Sequence, residues 1–405
     1  MVSERRVSRR AFLNRSAGIF VGLAARRSMA NASVAIGIVG CGRRGMALLD
    51  ALGRRTDVRI AAVCDAYAPH AHRARARTGA AIYPSWGDLA ASAAVDAIVI
   101  ATPDHLHAAI AVAAMESGKD VYCEYPMTRT IAQAEAFRDS ARRTGRVVQI
   151  GAPDLADGVW AAAREAVRTG VLGQLVWAQP GSRRPAPCTA RPAREISPAD
   201  LDWGGFTGAA PKRSFDPDRY IHWRRYRDYS LGAAAAEFYA ALTPLLRACD
   251  APMPVRAAAA GGRYDGTQGE NPDCLVMTFE YAGGFTIAAT TAAYGQRTYP
   301  AVIRGERGAI ECGDGVLKVR DAAGVVGKSE CRTLFRARSR SCSLEAALLA
   351  DWLDRVRDRG RCLCDEETAY RAQAAISLGM ASFREGRSIG WADLRDRRWS
   401  AFPES

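Results

Sequence analysis

Val34-Ala35-Ile36-Gly37-Ile38-Val39-Gly40-Cys41-Gly42-Arg43-Arg44-Gly45 joins an apolar run to the pattern G-x-G-x-x-G. A helical pattern starts at once, with Met46, Leu48, Leu49 and Leu52 as its apolar positions. The stretch reads as a strand, a tight turn and a helix start. Gly40 permits the turn, Gly42 lets the backbone approach a pyrophosphate, and Gly45 lets the helix pack on the strand. The helix N-terminus then faces the phosphates. Glycine turns after buried strands are common, so the rest of the chain must decide whether this loop holds a nucleotide.

The next apolar run, Val58–Cys64, ends at Asp65, twenty residues past Gly45. A dinucleotide fold places its ribose-binding carboxylate there. Such an acid bonds the 2′-hydroxyl and repels a 2′-phosphate, which points to NAD; Arg43 and Arg44 leave NADP open. A helix is predicted over His70–Thr78 and a strand over Val95–Thr102. Pro103-Asp104-His105-Leu106-His107 follows at the strand's C-terminal end, where open α/β sheets bind ligands. Helix Ala108–Glu116, strand Val121–Glu124, a helix from Thr130 to Arg143 and strand Val147–Ile150 complete the alternation. The pattern predicts a doubly wound parallel sheet, an α/β Rossmann domain over residues 33–152.

At 405 residues the chain is long enough for two domains. Its 48% hydrophobic and 24% charged residues are those of an ordinary globular protein. The net charge of +13 is concentrated at the start, where residues 1–32 hold seven arginines against one acid. The remaining excess is spread thinly, so no nucleic-acid partner is expected. Ser8-Arg9-Arg10-Ala11-Phe12-Leu13 looks like a twin-arginine export signal. The apolar stretch Ala17–Ala25 follows, then Ala30-Asn31-Ala32 as an A-x-A cleavage site. That stretch is too short to span a bilayer, so no stable membrane insertion is expected. The expected location is the periplasm. Eleven cysteines form no C-x-x-C pair and have no histidine cluster beside them, so no metal site is expected.

These motifs together resemble the Gfo/Idh/MocA family, the glucose–fructose oxidoreductase and inositol dehydrogenase type. The resemblance rests on I-G-I-V-G-C-G-R-R-G, V-C-D at Asp65 and A-T-P-D-H-L-H at 101–107. It continues through G-K-D-V-Y-C-E at 118–124 and R-V-V-Q-I-G at 146–151. Beyond the first domain it resumes at T-G-V-L-G-Q, Asp202-Trp203, Gly208-Ala209-Ala210-Pro211 and His222-Trp223-Arg224. It implies an NAD(P)-dependent oxidoreductase acting on a small sugar-like or polyol-like hydroxyl. It also implies a homo-oligomer paired through the second-domain sheet. Thr102, Pro103, His105 and His107 would line the turn under the nicotinamide. Glu124 would hold the nicotinamide-side ribose, Pro126 would be a cis proline, and Trp223 and Arg224 would meet the substrate.

The second domain is expected over 153–385, with residues 386–405 as a tail. A helical stretch Val159–Thr169 and strand Leu175–Ala178 open it, and Pro180–Arg194 reads as a long loop. Short runs at Cys274–Tyr281, Phe285–Thr291, Ala301–Arg304 and Val316–Val319, separated by glycine turns, predict an open antiparallel sheet in an α+β domain. Leu344–Val356 and Glu366–Phe383 predict amphipathic helices.

The catalytic pattern departs from the family. Its Glu-Lys-Pro is Glu124-Tyr125-Pro126 here. Lys119 lies at the far end of that strand, about 20 Å away at 3.3 Å per residue. The family also carries an Asp and a His four residues apart on a helix. Aligning on Asp228-Tyr229 and Gly232 puts Ala236 and Ala240 at those positions. Removal of a hydroxyl proton needs some base. Tyr125 could serve if its pKa were lowered, and His222 is the second candidate; Glu237 and Tyr239 lie on the altered helix. Each has a plainer role as filler, loop contact or solvated side chain. Three readings follow: an oxidoreductase with a rebuilt proton relay, a catalytically silent nucleotide- or sugar-binding relative, and an NAD-dependent glycosidase with transient redox.

Overall fold

The computed structural model describes residues 33–181, 196–264, 266, 268–291, 299–321, 331–337 and 342–396. The expected export signal, most of the Pro180–Arg194 loop and residues 397–405 lie outside them.

The chain opens with β1 (Val34–Val39), α1 (Arg43–Gly53), β2 (Val58–Cys64), α2 (Ala68–Thr78), β3 (Ala81–Ile82), α3 (Trp86–Ala91) and β4 (Ala97–Ile100). Then come α4 (Asp104–Glu116), β5 (Asp120–Glu124), α5 (Ile131–Thr144) and β6 (Val148–Gly151). All six strands are parallel, in the order β3-β2-β1-β4-β5-β6. The order reverses between β1 and β4, which opens a crevice at their C-terminal ends. Alternate strand residues feed two cores. Ala62 and Ile98 pack with Ile110 and Phe137, whereas Val63 and Val99 pack with Leu48 and Leu52. Thr130 caps α5 in a capping box with Gln133, and Gly145 ends it in the left-handed region.

The second unit contains α6 (Gly158–Arg168), β7 (Leu175–Gln179), α7 (Trp203–Thr207), α8 (Pro217–Ile221) and α9 (Ala233–Ala248). Strands β8 (Pro254–Gly262), β9 (Cys274–Tyr281), β10 (Phe285–Thr290), β11 (Ala301–Gly305), β12 (Gly308–Gly313), β13 (Val316–Asp321) and β14 (Cys331–Arg336) follow. The nine-stranded sheet runs β14-β13-β12-β11-β7-β10-β9-β8-β15, with β15 at Ile389–Gly390. It is antiparallel except where β7 pairs with β10 in parallel.

Two features cut across the boundaries expected from the sequence. Helix α10 (Leu344–Asp358) leaves the second sheet and packs on the first, burying Leu348, Leu349, Trp352 and Leu353 against Ile36, Leu48 and Tyr122. Arg359 then holds Asp120 through two bonds of 2.6 and 2.9 Å. After α11 (Glu366–Glu385), the expected tail adds β15 to the sheet edge beside β8. Among the described residues no helix is long and apolar enough to cross a membrane, and no cluster of three metal-ligating side chains occurs.

Candidate functional site

A single cleft runs along the C-terminal ends of the first sheet and under α9. Gly40, at the end of β1, has a φ of +89°, and a Cβ there would lie 2.7 Å from the Ala101 backbone. A Cβ on Gly45 would lie 1.8 Å from the Gly40 carbonyl oxygen. These two glycines are therefore required by the protein's own packing. Gly42 is different, because the nearest atom to its Cβ position is His70 Cε1, at 4.0 Å. The open space over Gly42, at the start of α1, is where a pyrophosphate approaches.

Asp65 sits beside this loop. Its carboxylate accepts the Cys41 amide at 2.6 Å and the Tyr67 amide at 2.8 Å, with His70 Nδ1 3.4 Å away. Arg43 lies exposed on the cleft. Arg44 turns the other way. Its Nη2 donates to Glu124 at 2.8 Å, and its Nη1 pairs with Glu345 at the start of α10. That commitment takes Arg44 away from the adenosine end, so it gives no support to a 2′-phosphate there.

The Glu124 carboxyl is buried at the end of β5. Burial pushes its pKa up, and the Arg44 guanidinium works against that rise. The Tyr125–Pro126 bond is cis, and Pro126 gives its carbonyl to His107 Nδ1 at 2.9 Å. His107 Nε2 faces the Thr102 carbonyl at 3.0 Å, so this ring ties the two strand ends together. The Thr102 hydroxyl is buried on the cleft without a partner, and so is Asp104 Oδ1, although Asp104 Oδ2 accepts Ser230 at 2.6 Å. The open Gly42 cradle and the orphaned Thr102 hydroxyl fit a dinucleotide laid across the β1/β4 crevice. Pro103 caps α4 and lines the same wall.

His105 is not on that wall. It points into the second unit, where Nε2 meets the Phe206 carbonyl at 2.8 Å and the ring packs on Phe206 and Tyr229. Burial pushes its pKa down to about 4, so it is a neutral structural ring.

The opposite wall is α9. Ala233, Ala236, Glu237, Phe238, Ala240, Ala241 and Pro244 line the cleft, while Ala235, Tyr239 and Leu242 are buried behind. Ala236 and Ala240 thus stand on the cleft as the alignment placed them, with no side chain able to move a proton. Tyr125 stacks on Tyr239, with ring centroids 6.2 Å apart. Burial and the neighbouring Glu124 push its phenol up, which is opposite to the lowering a relay through it needs. Tyr239 is itself fully buried, with its hydroxyl on the Ala369 carbonyl. Lys119 is spent on the Val95 carbonyl at 2.9 Å. Glu237 has no bonded partner, and burial alone raises its pKa.

Trp223 and Arg224 lie on the cleft, with the guanidinium 4.0 Å over the indole ring. His222 precedes them, and its Nδ1 lies 2.6 Å from Asp218 Oδ1. Asp218 was not anticipated from the sequence; the signal that could have found it is its i,i+4 spacing from His222.

Residues 34–152 match the family described as oxidoreductase family, NAD-binding Rossmann fold. Inositol 2-dehydrogenase of Rubrobacter xylanophilus is 32% identical over 145 residues, 35% of this chain and 42% of that enzyme. A glycosyl hydrolase family 109 protein of Shewanella baltica is 31% identical over 121 residues, 27% of this chain and 26% of that protein. The chain therefore spans less than half the length of these curated relatives. Among solved structures, levoglucosan dehydrogenase in complex with NADH superposes with a TM-score of 0.68 at 18% identity, covering 88% of this chain and 98% of that one. An NAD binding oxidoreductase from Klebsiella pneumoniae gives 0.69 at 18% identity, covering 89% and 99%. At such identities the likeness shows the fold. Residues 34–152 thus carry the NAD-binding Rossmann fold of the Gfo/Idh/MocA oxidoreductase family, to which that part of the chain is similar.

Proposed function

We propose that this protein is an exported NAD-dependent dehydrogenase that oxidises a hydroxyl of a sugar or polyol, with a proton relay unlike the family's Lys, Asp and His. The carrying observation is the open space over Gly42 beside the partnerless Thr102 hydroxyl, in a cleft whose far wall carries Trp223 and Arg224. Bound NAD would supply the acceptor for the hydrogen leaving the substrate carbon. Gly40, Gly42 and the start of α1 would hold its phosphates, Asp65 its adenosine ribose and Glu124 its nicotinamide ribose. An indole face with a guanidinium beside it suits a polyhydroxylated ring, which offers an apolar face and hydroxyl edges. The relatives named for inositol and levoglucosan support this substrate class. The twin-arginine pattern supports export to the periplasm. Exposed Val176 and Val276 on the second sheet support a homo-oligomer.

A second reading is favoured by a specific observation. Alanines at 236 and 240 widen the wall where catalytic side chains were expected, and relatives include glycosyl hydrolase family 109 proteins. On that reading the protein cleaves a glycoside by oxidising and re-reducing the sugar. A silent nucleotide-binding relative is the third outcome. Purified protein with NAD, tested against sugars, polyols and aryl glycosides, separates them. Net NADH formation supports the dehydrogenase. Glycoside cleavage without net NADH selects the glycosidase. Bound NAD with neither reaction removes both enzyme readings.

A further inference from the structure

One pair of side chains at the cleft edge has no task in holding a nucleotide. Asp218 lies in α8, and His222 follows four residues on, so both project from the same side of the turn. Asp218 Oδ1 is 2.6 Å from His222 Nδ1, and its Oδ2 accepts the Tyr226 hydroxyl. Arg225 adds a charge 3.8 Å from Oδ1. Although burial works to raise the Asp218 pKa, the bonds from Tyr226 and His222 outweigh it and hold the carboxyl below its usual value. An ionised carboxylate only accepts, so Nδ1 donates in this bond, and in the neutral ring the lone pair then lies on Nε2.

Nε2 is enclosed and has no partner in the protein, while the ring borders the cleft beside Trp223 and Arg224. An enclosed acceptor without a donor is costly, so a donor from a ligand is the natural completion. Several carboxylates at the cleft are already bonded, Glu124 and Glu345 to Arg44, Asp65 to two backbone amides and Asp104 Oδ2 to Ser230, whereas Asp154 and Asp314 line it as well. Glu237 is free, but nothing fixes its direction.

We propose that His222 is the base that takes the substrate's hydroxyl proton and that Asp218 positions it. This rests on the dehydrogenase reading above. The O–H bond breaks as its proton passes to Nε2, and the carbon–oxygen bond becomes double. The hydrogen on carbon leaves with its electron pair to oxidised NAD, which is thereby reduced. Substrate entry beside Trp223 must open the enclosure around Nε2, so this hydrogen bond forms only in the complex.

The test has two arms. In the first, ring nitrogen NMR of the apoprotein is read with His222→Gln as the assignment, which is practical with five histidines in the chain. His222 is expected as the Nδ1–H tautomer, shifting toward Nε2–H in Asp218→Asn. A wild-type ring protonated at Nε2 overturns the proposal. In the second arm, turnover is measured with NAD and whichever of inositol, levoglucosan or simple aldoses reduces it. His222→Gln is expected to lose about 100-fold in kcat while NAD affinity and KM hold. Asp218→Asn loses less, and Asp218→Glu recovers part of that loss. Unchanged kcat in His222→Gln overturns the pair and leaves the dehydrogenase reading standing. Loss of NAD affinity in both variants shows a structural role and also overturns it. A wild-type protein that reduces NAD with none of these compounds removes the reading and the pair together.

Discussion

Arg44 Nη2 donates to Glu124 Oε1 across 2.8 Å, and that bond ties the phosphate turn after β1 to the end of β5. The same guanidinium reaches Glu345, so α10 is fastened to both. Three segments far apart in the chain therefore share one cation at the edge of the nucleotide cleft.

Arg44→Ala should leave Glu124 buried without its counter-charge. Arg44 is about a third exposed, so the expected loss is about 3 kcal/mol, the low end for a broken buried pair. Nucleotide affinity should fall with it, because Glu124 would relax toward its protonated form. Urea unfolding and an NAD titration of the same sample check both.

His105 predicts an acid limb in stability. Its folded pKa of about 4 lies below the ordinary 6.5 because the ring is buried. A depressed base favours the fold above 6.5 and loses that contribution as pH falls from 6.5 through 4. Melting temperature should be flat in this term above 6.5 and decline below it. His105→Gln should lower stability at pH 7 and flatten the acid limb. An acid limb unchanged in the variant would exclude His105 as its source.

Tyr125→Phe should keep turnover near wild type. The phenol is pushed up rather than down, and its ring is held by stacking on Tyr239, a contact that Phe preserves. A loss approaching the range for a missing general base, about 100-fold, would return Tyr125 to the relay.

The first domain was legible because its signals are local. The glycine spacing, Asp65 at a strand end and the strand–helix alternation each depend on a few neighbouring residues. The second sheet was less so. β8 is built largely of Ala and Gly, which carry little strand preference, and it exists because β9 pairs along its length. β14 is exposed at the sheet edge and shows no buried alternation to read. Helix α10 was foreseen as a helix, but periodicity does not say which core its apolar face enters, and it enters the first. At the site, Gly40, Gly42, Asp65 and Glu124 border one cleft. His105 does not, because its position in A-T-P-D-H-L-H fixes its place on α4 but not the direction it faces. Arg44 was assigned to the adenosine end because its partner Glu345 lies 301 residues away. Asp218 is not legible because its pairing with His222 depends on the turn at the end of α8, which the sequence pattern does not reveal.

The space over Gly42 is kept for a dinucleotide, and calorimetric titration of NAD into wild type, Gly42→Ala and Gly45→Ala decides the matter. Gly45→Ala should be destabilised by about 3 kcal/mol, since its Cβ would strike the Gly40 carbonyl at 1.8 Å. Gly42→Ala has room for its Cβ in the protein itself, with nothing closer than 4.0 Å, and should melt close to wild type. Wild type is expected to bind NAD, and Gly42→Ala, though equally stable, to bind it at least about 10-fold more weakly, a difference of about 1.4 kcal/mol. Absence of NAD binding by wild type, or undiminished binding by Gly42→Ala, would contradict that role for the space.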